Sequence, residues 1–137
     1  MKSVFILLFT IPFFSVIMEK DTHPIIGKWV DVDNDEIGYL IFDRHGFAIM
    51  ELNGQVLGGR AFIYNGIMAK MTYEINDLKN PIQLDLIVTI LKSEEEYRLF
   101  CLLEFIDDDT MKLATNFNDK RPKDFKSETS VILKRVK

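Results

Sequence analysis

The stretch Asn80–Leu113, NPIQLDLIVTILKSEEEYRLFCLLEFIDDDTMKL, alternates apolar and polar residues with a period of two. In its first half Ile82, Leu84, Leu86, Val88 and Ile90 fall on one side, with Gln83, Asp85 and Thr89 on the other. In its second half Tyr97, Leu99, Cys101, Leu103 and Phe105 share a side opposite Arg98 and Glu104. Successive side chains of an extended strand point to opposite faces, so alternation of this length predicts β-strands with one buried face. A charged turn joins the two strands, and Asp107-Asp108-Asp109 leads into a third.

The same pattern continues on both sides. Upstream, Gly38–Phe42 and Phe47–Leu52 flank Asp43-Arg44-His45-Gly46, a turn signal. Asn53-Gly54 and Asn65-Gly66 are hairpin signals of the kind that select a type I′ turn, and they bracket an expected strand over Val56–Tyr64. Gly58-Gly59 within that strand predicts a bulge or a sharp bend. Ile67, Ala69, Met71, Tyr73 and Ile75 then alternate with Met68, Lys70, Thr72 and Glu74. Downstream, Thr110–Phe117 and Val131–Val136 read as strands separated by a long loop over residues 118–129. With the first strand at Ile26–Val32, this gives about eight or nine short strands joined by local turns. The expected fold is all-β, an antiparallel up-and-down β-barrel of about eight strands over residues 25–137, because closure removes exposed sheet edges.

The chain has 137 residues, of which 47% are hydrophobic and 28% charged, an ordinary globular balance. Its formal charge of −4 and the lack of any Lys/Arg run speak against a nucleic-acid partner. The N-terminus differs from the rest: Lys2 precedes an unbroken apolar run from Val4 to Met18, interrupted only by Pro12. A short positive region before a compact apolar one marks residues 1–18 as a signal peptide, which makes the protein secreted or periplasmic. No A-x-A cleavage pattern follows, so an uncleaved membrane anchor and a buried N-terminal helix stay open as alternatives. The mature chain carries no stable membrane span. Its single cysteine, Cys101, sits between Leu99 and Leu103 on the apolar face and reads as a small buried hydrophobe, with no internal disulfide to form.

Gly27-Lys28-Trp29 in the first strand resembles the G-x-W signature of lipocalins and related calycin barrels. Four further pieces resemble a bacterial lipocalin-like domain family of unknown function. They are Tyr73 with Asn80-Pro81-Ile82-Gln83-Leu84-Asp85-Leu86, then Asp109-Thr110-Met111-Lys112-Leu113, then Arg121-Pro122 with Phe125, and Leu133-Lys134-Arg135. The resemblance implies a small barrel with a central cavity, often behind a secretion signal, and no particular activity. It also implies that Gly27, Trp29 and Arg135 are structural, with the basic residue of the last strand packed on the tryptophan. That contact requires both residues at one end of the barrel. An even number of strands allows it and an odd number forbids it.

Catalytic and metal signatures are weak. Asp31-x-Asp33-x-Asp35 has the opening spacing of a calcium loop, but Glu36 stands where the turn glycine belongs and Phe42 where the bidentate glutamate belongs. His23, His45 and Cys101 are too scattered to form a zinc site or a nucleophile–base pair. No cofactor is implied, and an enzyme is the least favoured function.

The interior is the better candidate. Met71, Tyr73, Leu86, Val88, Tyr97, Cys101 and Phe105 are expected to line one inner face, where a barrel of about eight strands is either filled or holds one small ligand. The many large inward residues favour a filled interior. Tyr73 and Tyr97 offer polar handles, since a buried phenol needs a partner. Arg121, expected near a mouth of the barrel, would anchor an acidic ligand. Two functions follow: a carrier of a small apolar or amphipathic ligand, or a filled barrel that meets a protein partner through the 118–129 loop.

Overall fold

Ten antiparallel strands follow one another around a nearly closed barrel, in a computed structural model that describes residues 23–33, 37–126 and 129–137. They are β1 (Gly27–Asp31), β2 (Ile37–Phe42), β3 (Ala48–Leu52), β4 (Gln55–Gly58), β5 (Phe62–Tyr64), β6 (Ile67–Asn76), β7 (Ile82–Ile90), β8 (Glu96–Asp107), β9 (Thr110–Thr115) and β10 (Ser130–Arg135). Neighbours in sequence are neighbours in space, and β10 returns to pair with β1. The up-and-down sheet is therefore as expected. The signal peptide expected over residues 1–18 lies outside the described residues.

The strand count is ten rather than eight, and the reason lies at Gly58. The expected Val56–Tyr64 strand is broken into β4 and β5, because the chain adopts φ values of +110° and +81° at Gly58 and Gly59. A Cβ at Gly58 would stand 2.3 Å from the Ala48 carbonyl oxygen, so only glycine permits this approach. Beyond the corner, β4 stays with β3 while β5 turns away to pair with β6. Closure is made on the far side of the corner. The Met71 amide donates to the Gly59 carbonyl (2.9 Å), the Tyr73 amide donates to the Gly46 carbonyl (3.0 Å), and Phe47 bridges Thr72. Among the described residues, neither β4 nor β5 has a second partner strand.

Antiparallel register sorts the turns into two ends. One end, the base, collects the start of β1, the end of β10 and the β2–β3, β6–β7 and β8–β9 turns. The other, the mouth, collects the β3–β4, β5–β6 and β7–β8 hairpins and the 116–129 segment. Both Asn-Gly hairpins have positive φ at each residue (52° and 78°, 48° and 78°), the geometry of type I′ turns.

Inward residues form one core: Ile25, Trp29, Leu40, Phe42, Met71, Leu84, Leu86, Cys101, Leu103, Met111, Leu113 and Leu133 are all buried. The base is sealed by side chains from both chain ends. Trp29 lies opposite Arg135 in the β1–β10 ladder and is fully buried, and the Arg135 guanidinium sits 4.3 Å from the centre of its ring. The indole N–H donates to the Ile25 carbonyl (2.8 Å), while Arg135 donates to the Ile26 carbonyl (2.7 Å) and to those of Pro24 and Asp108. Gly27, at φ +138°, leaves the room this arginine needs, for a Cβ there would lie 2.8 Å from its Nη1. Ten strands make an even count, so the first and last strands meet at the same end.

A second buried layer lies outside the barrel. Leu102 and Ala114 face each other across β8 and β9 on the outer surface, yet both are buried. Residues 116–126 fold back over this wall. Arg121 donates to Asp85 (2.6 Å) and to the Cys101 carbonyl (2.8 Å) and lies over the Phe100 ring, Pro122 is buried, and Lys112 lies over Phe125.

Candidate ligand-binding mouth of the barrel

The residues expected along the inner face divide between core, base and mouth. Met71, Leu86 and Cys101 are buried in the core, and Tyr73, Val88 and Phe105 pack against it from partly buried positions. The ladders set Met71, Val88 and Tyr97 in one row and Tyr73, Leu86 and Leu99 in the next, so the shared face follows from the period-two pattern. The base half of the interior is filled by Trp29, Phe42, Ile25, Leu40, Leu103, Met111 and Leu133.

Of the two tyrosines, Tyr73 is consumed by the fold. Its hydroxyl donates to the Asp43 carbonyl (2.6 Å) and its ring meets Phe42 edge-on at 5.0 Å. Burial pushes the phenol up from its ordinary value, and the Asp43 charge adds to that. Cys101 is likewise structural: burial raises its thiol to about 12, so it stays protonated and unreactive at neutral pH.

Arg121 is not at the mouth. Asp85, its partner, alternates with the buried Leu84 and Leu86 and so points out of the barrel. The bond to this carboxylate and the contact with Phe100 hold the guanidinium to the outer wall, where it fastens the 116–129 segment. Its two terminal nitrogens are thus already engaged on the outer wall, away from the mouth.

Tyr97 is different. It is 48% exposed and stands at the mouth, because β8 begins there, one row above the core. Together with Tyr64, Ile67 and Ile90 it lines an open cup of about 490 Å3 between the β5–β6 and β7–β8 hairpins. Asn65, Lys92, Ser93 and Glu95 from the two turns complete the wall. The Tyr64 and Tyr97 rings are 6.0 Å apart and tilted by 42°. The Tyr97 hydroxyl donates to Glu95 (3.3 Å), and the Glu95 charge raises this phenol above its ordinary value, with desolvation and the hydrogen bond adding to the effect.

A second groove of about 490 Å3 lies between β10 and the 116–129 segment, lined by Asp31, Asp33, Lys112, Phe125, Ser130, Val131 and Ile132. It is more polar and partly occupied by the Lys112–Phe125 contact. Asp31 accepts from the Asp33 amide (3.0 Å) as an ordinary turn, and Asp35 lies outside the described residues. Among the described residues, no three His, Cys, Asp or Glu side chains are grouped to hold a metal ion, and no helix is long and apolar enough to cross a membrane.

Tyr64, Ile67, Ile90, Lys92 and Glu95 did not stand out from the sequence as a site. The signal that could have found them is parity: hairpins two strands apart in an up-and-down sheet point to the same end. Comparisons with protein-family models, with curated proteins and with solved structures found no match to this chain.

Proposed function

We propose that this chain is a secreted or periplasmic lipocalin-like binding protein that takes a small apolar or amphipathic molecule at the mouth of its barrel. The observation that carries the reading is the cup of about 490 Å3 lined by Tyr64, Ile67, Ile90 and Tyr97. Its size falls in the range of roughly 300–1,000 Å3 typical of small-molecule sites, and an apolar wall with a few convergent polar groups is their usual chemistry. The packed base supports a ligand seated in the mouth rather than one swallowed whole. The export assignment rests on the Val4–Met18 run.

The test is titration of the purified protein with N-phenyl-1-naphthylamine, a neutral apolar probe whose fluorescence rises on burial. Saturable one-site binding is expected, weakened at least tenfold by Ile67→Ser combined with Tyr97→Ser, and unaffected by Lys79→Ala at the opposite end. Absence of saturable binding, or binding indifferent to the mouth substitutions, would overturn the proposal.

One further observation favours a second reading, a filled barrel that docks a protein. Ile63, Met68 and Leu91 are exposed beside the cup, and the Leu91 amide donates to the Met68 carbonyl, joining them into one rim. Under this reading the partner would meet the mouth and its rim. The 118–129 loop is a poorer candidate, since Arg121 ties it to the wall.

A further inference from the structure

We infer that the cup at the mouth selects amphiphiles with a cationic head, an alkylammonium in chemical class, over neutral or anionic ones. The inference rests on the proposal that the cup binds a ligand at all. Three groups converge where a head group would sit. Tyr64 and Tyr97 stand side by side, ring centres 6.0 Å apart and planes tilted by 42°, and Glu95 adds a carboxylate that accepts from the Tyr97 hydroxyl (3.3 Å). Ring faces carry the negative end of the aromatic quadrupole, so a cation resting against this pair is attracted by the ring it covers, the chemistry by which aromatic side chains hold quaternary ammonium groups. Ile67 and Ile90 line the same cup and would take the alkyl chain.

The opposing group is Lys92, which also lines the cup. Among the described residues it forms no ion pair within 4.0 Å, with Glu95 or with any other acid. Its charge rests on a long, exposed stem that can withdraw into water, whereas Glu95, on a shorter stem, accepts a hydrogen bond from Tyr97. Glu94 lies in the same turn outside the lining of the cup, and Glu96 is engaged by Arg98 at 3.5 Å. The lining thus carries one base and one acid, and of the two it is the acid that is hydrogen-bonded to an aromatic side chain of the cup.

The experiment compares three probes with the same eight-carbon chain, each below its micelle concentration: octyltrimethylammonium, octyl glucoside and octyl sulfate, by isothermal titration calorimetry. The cation is expected to bind at least fivefold more tightly than the neutral probe, and the anion most weakly. Glu95→Gln should lower the cation-to-neutral ratio at least twofold, leaving the part due to the rings, and Lys92→Gln should raise it. Thermal midpoints of both variants would show that the fold is kept. A ratio near one in the unaltered protein, or tighter binding of octyl sulfate that Lys92→Gln abolishes, would overturn the inference while leaving a ligand-binding mouth in place. If none of the three probes binds saturably, the mouth proposal fails and this inference with it.

Discussion

The two ends of this barrel are made from similar materials and put to opposite uses. At the base an aromatic ring, an arginine and several backbone carbonyls satisfy one another completely, with Trp29 buried and Arg135 donating to three carbonyls. At the mouth two aromatic rings, a carboxylate and an ammonium stand close together around an open cup, with one hydrogen bond, Tyr97 to Glu95, among them. The difference teaches where stability and where recognition are lodged. Groups that satisfy each other fix the fold, whereas groups that converge with capacity to spare can accept a partner.

Breaking the base should have the largest effects. Trp29→Ala removes a fully buried indole and is expected to cost about 3–5 kcal/mol, read as a large fall in thermal and denaturant midpoints. Gly58→Ala puts a Cβ against the Ala48 carbonyl at a positive φ and should cost about 2–4 kcal/mol by the same measurement. Arg135→Ala leaves the carbonyls of Ile26 and Pro24 without their donor and the indole without its cation, for about 2–3 kcal/mol. Arg121→Ala frees the outer strap and should cost about 1–2 kcal/mol, with faster amide exchange over residues 116–126 as its local signature. Tyr97→Ala completes the series: a half-exposed residue should shift stability by roughly 0.5 kcal/mol or less while abolishing most of the binding. If Tyr97→Ala proved as destabilising as Arg135→Ala, the contrast between the ends would collapse.

The sheet was legible because its information is local. Alternation along Ile82–Ile90 and Tyr97–Phe105 fixes which side chains share a face, and the Asn-Gly pairs fix where the chain reverses. The site of the irregularity in Val56–Tyr64 was legible, as a bulge or a sharp bend at Gly58-Gly59, but which of the two it is was not. What decides between them is the approach of Ala48, ten residues away in sequence. The position of Arg121 failed for a similar reason. Asp85 reads as an outward residue of a strand, but nothing near either residue in sequence announces that a segment 36 residues later will fold back onto it. At the mouth, Ile67 and Ile90 could be assigned to the inner face by parity alone. The approach of Tyr64 to Tyr97 depends on the curvature of the closed sheet, which no local pattern encodes.

The corner at Gly58-Gly59 also bears on how the chain could be rewired. No ladder spans the gap between β4 and β5, while the two ends of the domain are already side by side, with Arg135 bonded to the Pro24 carbonyl and the Val136 amide to that of Lys28. A circular permutant opened between Arg60 and Ala61, with Lys137 joined to His23 by a short glycine linker, would interrupt no strand pairing. Chain order and barrel order are therefore separable in this protein. The sheet is a ring that can be opened at the β4–β5 corner as well as ahead of β1.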